Sequence, residues 1–454
     1  MTFSKEPKIL SPHRGAWSNR LGLILAASGS AVGLGNVWKF PYITGVNGGG
    51  AFVLVYLLAL VLIALPALLS ELYIGQKGQA SAVQSFKNLD HDKSFWRFAG
   101  GLGVCSSILI YSYYSVVGGW IFYYFMNSVN DIWLVNCNHA VSCTKFADVL
   151  GQPLWQLGCQ FTFLSITGMI VARGVSGGIE RFNKFLMPLF MSVLLFMFVN
   201  CVWMSGFSDA IHFLLVPDFS KLSATSILEA FGHSFFTISI GVGIMVTYGS
   251  YLAPDEKILP VAITVICLDT CIALISGIIV FSVVFTFHGE PGSGPSLLFE
   301  TLPALFQYLP YGHWISMIFF SLIAITALTS SISLLEVGTS WLTERYPNTP
   351  RPYIVLFLSL VCFLLGSLCS LSFNLLSEYT LIGMTAFDFL DVATGRVFLP
   401  LAGVMTLLFF GWVLGRPASL DVIGEDTSFS SYFLWLTRTV SPFVVMIVMI
   451  AALL

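Results

Sequence analysis

Eleven long apolar runs divide this chain, and no other feature limits its fold as strongly. A helix needs about 20 mostly apolar residues to cross a lipid bilayer. By that criterion we predict spans near residues 21–45, 50–72, 100–127, 153–172, 185–205, 227–251, 259–286, 308–341, 352–372, 396–414 and 431–453. Only 9% of the residues are charged, against about 25% in soluble domains. Because so few polar side chains cannot cover a surface in water, the sequence predicts an all-α integral membrane protein with 11 transmembrane helices.

Polar segments are confined to the N-terminus and to the loops. We expect three parts: an N-terminal segment at 1–20, a ten-helix core at 21–414 and an eleventh helix at 431–454. The first apolar run reaches spanning length, which the apolar part of a cleavable signal peptide does not. A net charge of −3 gives no footprint for nucleic acid. The sequence shows no metal-ligand cluster, nucleotide-binding loop or nucleophile triad, so we predict that the protein is not an enzyme.

Lysine and arginine are divided unevenly between the two sets of loops. One set carries Lys5, Lys8, Arg14, Arg20, Lys77, Lys87, Lys93, Arg97, Arg173, Arg181, Lys184, Arg345, Arg351 and Arg416, and the other carries Lys145, Lys221 and Arg396. Because cytoplasmic loops are enriched in these residues, we predict a cytoplasmic N-terminus, an extracellular C-terminus and no cytoplasmic tail. Cys137 and Cys143 share one polar loop, where a disulfide and two free thiols are both compatible with the sequence.

Two of the predicted spans contain clusters of glycine. The first span carries Gly29, Gly33 and Gly35, and the sixth carries Gly241 and Gly243. Glycine destabilises a helix by about 1 kcal/mol relative to alanine, but it also permits close helix packing, so either cluster alone has two interpretations. The clusters lie five spans apart, at matching places in two sets of five helices. Paired interruptions of this kind indicate a transporter site near the middle of the membrane.

Breaks in two helices would leave backbone groups without partners inside the bilayer. The freed N–H groups attract an anion, and the freed carbonyls suit sodium or an ammonium group. Asn36 and Thr237 add side-chain oxygens beside the two breaks. Since an amino acid zwitterion carries both charges, it is the ligand class that this arrangement favours.

Asp269 lies inside the apolar seventh span. A carboxylate there costs about 2.5–3.5 kcal/mol on insertion scales, so we interpret it either as a cation ligand or as an acid that reaches the interface near a span end. The eighth span carries the hydroxyls of Thr326, Thr329, Ser330 and Ser331. These hydroxyls either bond back to their own helix or, beside the glycine breaks, form a second cation site from neutral oxygens.

Several motifs resemble the neurotransmitter:sodium symporter family, particularly its bacterial amino-acid transporters. RLGLILAASGSAVGLGNVWKFPY at Arg20–Tyr42 is similar to that family's first helix, and NGGGAF at Asn47–Phe52 to the start of its second. Tyr114 with Trp120 six residues later, FFTISIGVG in the sixth span and ALTSSIS in the eighth continue the match. The resemblance implies an inverted five-plus-five repeat with discontinuous helices 1 and 6, and symport by alternating access. It leaves monomer and homodimer open.

The resemblance also implies two co-transported Na+ ions and one substrate pocket. The first ion would use Ala31, Asn36, Thr237 and Asp269, and the second Gly29, Val32, Thr326, Thr329 and Ser330. The substrate carboxylate would meet the backbone of Gly33, Leu34 and Gly35 and the Tyr114 hydroxyl, and the amine would meet carbonyls near Ala31, Phe236, Thr237 and Ser239. Substrate side-chain contacts would come from Ile110, Phe236, Val242, Ser330, Ser331 and Leu334.

Gating residues follow from the same resemblance. Lys39 would help to close the outer gate, with Asp388 or Asp391 as its acidic partner, although an interfacial lysine is an alternative. The inner gate would use Arg14, Trp17, Tyr251 and Glu344. Gly178 and Pro188 match a family pattern that lets the fifth helix unwind.

Four departures from the family pattern narrow the predicted function. Gly33 stands where monoamine carriers have an acid, which leaves room for the carboxylate of an α-amino acid. Asp269 replaces a common asparagine and Ala273 replaces a serine of chloride-dependent relatives, so we predict no need for chloride. Val242 replaces a bulky phenylalanine of some relatives and favours a larger substrate.

We therefore predict a sodium-coupled importer of a neutral, hydrophobic or aromatic L-amino acid. Its membrane would be a plasma membrane, the bacterial inner membrane in particular. A channel and a non-transporting amino-acid sensor are the alternatives. A channel would need a continuous pore, and a sensor would bind the amino acid without moving it.

Overall fold

The computed structural model describes residues 15–90, 95–129, 146–289, 299, 302, 306, 311–424 and 428–453. In chain order its helices are α1 (Arg20–Ala31), α2 (Gly35–Val46), α3 (Gly50–Gly78), α4 (Ala82–Leu89), α5 (Arg97–Val129), α6 (Phe146–Leu150), α7 (Pro153–Ala172), α8 (Val175–Cys201), α9 (Phe207–Leu215), α10 (Ala224–Thr237), α11 (Ile244–Gly249), α12 (Ile258–Thr286), α13 (Gly312–Arg345), α14 (Arg351–Leu371), α15 (Ala386–Ile423) and α16 (Ser428–Ala451). The predicted gate residue Arg14 and the cysteines Cys137 and Cys143 lie outside the described residues.

Membrane-spanning length is common among these helices. Within the described ranges, nine are long and apolar enough to cross a bilayer, namely α3, α5, α7, α8, α12, α13, α14, α15 and α16. Helices α1 and α2 together make a further span, bent by 48°. The sixth predicted span is divided into α10 and α11, of 14 and 6 residues, which are each too short to cross alone. The all-α membrane fold is confirmed, and the count of eleven crossings stays a prediction.

Two long helices form the centre of the bundle. Helices α5 and α13 pack against each other, and 78% and 72% of their most apolar windows are buried. Helices α8 and α14, with 28% and 39% buried, lie at the periphery. Helix α1 packs between α8, α12 and α13, and α10 and α11 both pack on α3. The two interrupted spans are therefore enclosed by other helices.

Both glycine clusters coincide with breaks in the helices. Helix α1 ends at Ala31, because Val32 has a ψ of 90° and leaves the helical region. After α10, Ser239, Gly241 and Gly243 have φ of +55°, +81° and +76°, a region that favours glycine. At Gly241 an added Cβ would collide with the backbone of Leu399. Close packing alone therefore does not explain the glycines.

Candidate functional site

Asp269 of α12 lies at the point where the two breaks meet. Its carboxylate is 0% exposed. It accepts hydrogen bonds from Asn36 Nδ2 at 2.8 Å and from Thr237 Oγ1 at 3.3 Å. Asn36 follows the first break and Thr237 ends α10 at the second, so one acid joins both interrupted spans. Complete burial excludes the interpretation of Asp269 as an acid that reaches the interface.

Two further side chains surround this carboxylate. Tyr56 of α3 donates to Asp269 Oδ2 at 3.4 Å, and its ring lies 5.4 Å from that of His233. His233 is 2% exposed, and neither ring nitrogen has a hydrogen-bond partner in the described part of the chain. Sequence reasoning missed Tyr56, because a tyrosine in an apolar run is ordinary. Ala31, the remaining member of the predicted first sodium site, is the buried last residue of α1.

The turn between α1 and α2 brings together the groups predicted to bind the substrate carboxylate. The Gly33 N–H donates to Asn36 Oδ1 at 3.2 Å, which fixes the turn. The Tyr114 hydroxyl approaches Ser330 and the backbone of Leu34 without a hydrogen bond of normal geometry. The N-terminus of α2 and the Tyr114 hydroxyl thus lie beside the same turn, an arrangement that suits an anion.

The space beside Gly33 is bordered by one hydroxyl group. A Cβ at position 33 would lie 2.8 Å from Ser330 Oγ. Ser330 in turn donates to the Ser30 carbonyl at 3.4 Å. This hydroxyl borders the room that glycine provides, so a carboxylate bound there would contact it.

The residues of the predicted second sodium site lie between α1 and α13. The hydroxyls of Thr326 and Thr329 donate to carbonyls of their own helix, at 2.8 and 3.0 Å, so their remaining lone pairs can accept a cation. Gly29 faces Thr329, since a Cβ on Gly29 would lie 3.4 Å from Thr329 Cβ. Val32 is fully buried at the break. The second set is thus assembled from one broken and one unbroken helix.

Of the four apolar residues assigned to the substrate side chain, three are buried and Phe236 is partly buried. Ile110, Val242 and Leu334 are 8%, 3% and 6% exposed and belong to one hydrophobic core. Phe236 lies near Gly35, since a Cβ there would be 3.8 Å from its ring. Ser331 differs, because its hydroxyl bonds to Thr167 of α7 at 2.9 Å and so faces that helix.

Polar contacts tie the two breaks to each other and to α3. The Ser239 hydroxyl donates to the Ser30 carbonyl at 3.3 Å, and the Phe236 carbonyl already accepts the Ser239 N–H at 3.0 Å. Glu71 of α3, 1% exposed, accepts the Gly241 N–H at 2.7 Å. This carboxylate satisfies a backbone group that the second break frees. This role of Glu71 could not be predicted from the sequence, because a polar residue near the end of the predicted 50–72 span is ordinary.

Lys39 shows no ion pair in the described residues, unlike its predicted role. Its ammonium lies 4.0 Å from the centre of the Phe236 ring. Of the two acids predicted as partners, Asp391 acts on Lys39 through its charge, whereas Asp388 is exposed and accepts a hydrogen bond from Thr385 at 2.7 Å. The aromatic face therefore takes the place of the expected carboxylate.

Trp17 and Tyr251 of the predicted inner gate are in contact. Their ring centres are 6.0 Å apart, and Trp17 Nε1 donates to the Tyr248 carbonyl at 3.0 Å. The Tyr251 hydroxyl donates at 2.6 Å to Glu336, which also pairs with Arg351. Glu344 accepts the Ser81 N–H at 2.7 Å. We call Trp17, Tyr251, Glu336 and Arg351 the latch. Glu336 and Arg351 could not be predicted from the sequence, because a contact between helices leaves no local pattern.

The region between Gly178 and Pro188 is wound, in contrast to the unwound turn that the family pattern allows. Val175–Glu180 form one wide helical turn, and Arg181–Cys201 continue as α-helix through Pro188. The carboxylate of Glu180 bonds to Ser18 and pairs with Lys184. Contacts with the segment before α1 therefore hold this end of α8 in its helical form.

Comparisons with known proteins agree with this geometry. The family model described as "Sodium:neurotransmitter symporter family" matches residues 14–152 and 142–454. The chain is 34% identical over 436 residues to an uncharacterized sodium-dependent transporter, YhdH, of Bacillus subtilis, across 95% of this chain and 96% of the relative. It is also 34% identical over 452 residues to an uncharacterized sodium-dependent transporter of Haemophilus influenzae, across 97% and 98% of the two chains.

A solved structure extends the similarity to three dimensions. The crystal structure of MhsT in complex with L-phenylalanine matches with a TM-score of 0.88 and 38% sequence identity. The match covers 97% of this chain and 100% of that one. The backbone fold is therefore shared over nearly the whole length of both proteins.

Proposed function

The chain belongs to the sodium:neurotransmitter symporter family, whose members are sodium-dependent membrane transporters and not enzymes, and on that premise we propose that it imports a neutral, hydrophobic or aromatic L-amino acid with two Na+ ions. The observation that carries the proposal is the joining of both breaks at Asp269, through Asn36 and Thr237. Oxygen atoms for a cation and a helix N-terminus for a carboxylate then lie in one enclosed region. An amino acid zwitterion and its sodium ions match these charges.

The choice of substrate rests on the pocket lining and on one relative. Ile110, Val242 and Leu334 are apolar, so a charged substrate side chain would lose its hydration without compensation. MhsT, with 38% identity, has been solved in complex with L-phenylalanine. Both observations support a large neutral side chain. The amine would meet backbone carbonyls near Ala31, Phe236, Thr237 and Ser239.

Chloride independence follows in this proposal from the internal charge of Asp269. Two cations in an enclosed site need compensating negative charge, because isolated charges are poorly solvated there. Asp269 supplies one charge and the substrate carboxylate supplies another. Ala273 provides no hydroxyl to hold an anion.

In the proposed orientation the N-terminus is cytoplasmic and the membrane is a bacterial inner membrane. The excess of lysine and arginine in one set of loops supports the orientation, and the bacterial relatives support the membrane. Inward movement of two sodium charges then contributes about 4.6 kcal/mol per 100 mV of membrane potential.

Uptake into proteoliposomes tests the proposal. We expect an inward sodium gradient to drive accumulation of phenylalanine or leucine, with little uptake of glycine or glutamate, and the same rate when gluconate replaces chloride. A strong preference for glycine or glutamate would contradict the proposed substrate, and a large fall in gluconate would contradict chloride independence. Sodium-dependent binding without uptake would identify a sensor, and flux that does not saturate would identify a channel.

A further inference from the structure

Asn183 is a buried amide on α8 that no part of the proposed site uses. Its side chain is 1% exposed. Nδ2 donates to the Ile179 carbonyl one turn earlier at 2.9 Å. Oδ1 is buried and has no hydrogen-bond partner in the described part of the chain. Buried polar atoms without a partner are rare in native proteins, so each one needs an explanation.

The orientation of this amide follows from its neighbour. A backbone carbonyl can only accept a hydrogen bond, so the Asn183 nitrogen must face Ile179. The amide oxygen must then point away from α8. Turning the group over would place two oxygens against each other and would leave the nitrogen without an acceptor.

The free oxygen lies beside Gly29, a residue of the predicted second sodium site. A Cβ on Gly29 of α1 would lie 2.5 Å from Asn183 Oδ1 and 3.4 Å from Thr329 Cβ of α13. One point beside Gly29 is thus close to both residues. Met187, one turn along α8, lines the same place, at 3.3 Å from that point. Asn183 therefore lies opposite Gly29, which stands near the end of α1 and its freed carbonyls, and opposite Thr329, which offers a hydroxyl.

We propose that Asn183 Oδ1 is an oxygen ligand of the second sodium ion. An amide oxygen has the same ligand character as the freed backbone carbonyls of a broken helix, which bind sodium in transporters. The ion would then connect α1, α13 and α8. This inference rests on the proposed function, because it assumes that an ion binds between Gly29 and Thr329.

The position of Asn183 gives this ligand a consequence for α8. Asn183 lies between Gly178 and Pro188, and the missing N–H of Pro188 leaves the Lys184 carbonyl without its helical donor. An ion held by Asn183 would tie this weaker part of α8 to α1. Loss of the ion would remove that tie and favour movement of α8 away from α1.

Sodium binding without substrate tests the assignment. Binding of radioactive sodium would be measured on the purified full chain for the wild type and for Asn183→Leu, which has a similar size and no oxygen. We expect the half-saturating sodium concentration to rise at least about tenfold, the lower end of what altering a metal site costs. Asn200→Leu is the matched control, because Asn200 makes the same bond to the carbonyl one turn earlier, at 2.7 Å, but is exposed. The control is expected to stay within about twofold of the wild type.

Further variants separate the possible failures. If Thr329→Val weakens sodium binding and Asn183→Leu does not, the inference is wrong and the proposed function stands. If the wild type binds no sodium, the proposed function itself fails. Should Asn183→Leu not fold, the smaller Asn183→Ala decides: without the amide oxygen the half-saturating sodium concentration must rise at least about tenfold, and an unchanged value overturns the assignment.

Discussion

Replacement of Asp269 by asparagine isolates the effect of one buried charge. The two side chains have nearly the same shape, so Asn36 and Thr237 can keep their hydrogen bonds to position 269. The amide nitrogen then replaces Oδ2, so the Tyr56 hydroxyl would accept a hydrogen bond there where it now donates one. Apart from that reversal, only the negative charge is lost. We expect weaker sodium binding with an intact fold.

The size of the effect can be worked from the distances around Thr237. Its Oγ1 lies 3.3 Å from each Asp269 oxygen and 3.5 Å from Asn36 Oδ1. An ion bound by these oxygens would therefore lie no farther than about 4 Å from the charge, which contributes at least about 4 kcal/mol at an effective dielectric constant of about 20. If the amide dipole of asparagine retains about half of this interaction energy, the loss of about 2 kcal/mol corresponds to roughly thirtyfold weaker sodium binding.

A sodium titration of thermal stability, with and without amino acid, measures this loss. Without sodium, Asp269→Asn should melt at the same temperature as the wild type or higher, because it removes an uncompensated buried charge. With sodium, its stabilisation should need a roughly thirtyfold higher concentration. Asp209→Asn, the same change at an exposed acid outside the predicted sites, should leave the titration unchanged. A half-saturating concentration within threefold of the wild type, or a lower melting temperature without sodium, would refute the reasoning.

Three further predictions concern the substrate site and the breaks. Tyr114→Phe removes a hydroxyl that has no normal hydrogen bond, so the stability of the protein should not change. Amino acid binding should weaken roughly 10- to 100-fold, because a charge-assisted hydrogen bond to the substrate carboxylate is lost. Unchanged binding in equilibrium dialysis would contradict a contact between Tyr114 and the substrate. Gly241→Ala should prevent stable folding, because φ at this position is +81° and the added Cβ would collide with Leu399. Gly243→Ala, with φ of +76° and a nearest contact of 3.4 Å, should lower the free energy of unfolding by only about 1–2 kcal/mol. Equal losses of stability in thermal unfolding would contradict this difference. Glu71→Leu should lower the free energy of unfolding by about 1–3 kcal/mol, because it leaves the Gly241 N–H unpaired. Glu71→Gln should restore part of this stability. Equal melting temperatures of the wild type and both variants would contradict the role of Glu71 in pairing this N–H.

Local chemistry explains what could be predicted from the sequence. Long apolar runs indicated the helices, and the backbone cost of Gly33 and Gly241 indicated where two of them break. The cost of a carboxylate in an apolar span singled out Asp269. Its partners Asn36 and Thr237 were visible as polar residues beside the breaks, and the family motif joined them to the acid.

Contacts between helices explain what could not be predicted. Tyr56 looks like an ordinary aromatic residue until α3 is packed against α12. Ser331 follows Ser330 by one residue, and the rotation of about 100° between neighbours on a helix turns its hydroxyl toward Thr167. Lys39 lies on the ring of Phe236, a contact between α2 and α10 that no local pattern indicates.

The polar contacts of the described residues are unequally divided between the two ends of the molecule. At the latch, Tyr251 and Arg351 share the fully buried carboxylate of Glu336, whereas at the other end Lys39 lies on Phe236 and Asp391 is exposed. Separating a buried acid from its partner costs about 3–5 kcal/mol. A ligand can shift such an equilibrium only by as much as it binds one conformation better than the other, so opening at the latch requires a comparable free energy from the occupied central site. Sodium and amino acid together can supply more of this free energy than sodium alone, so in the proposed cycle we expect these pairs to favour opening at the latch when both are bound.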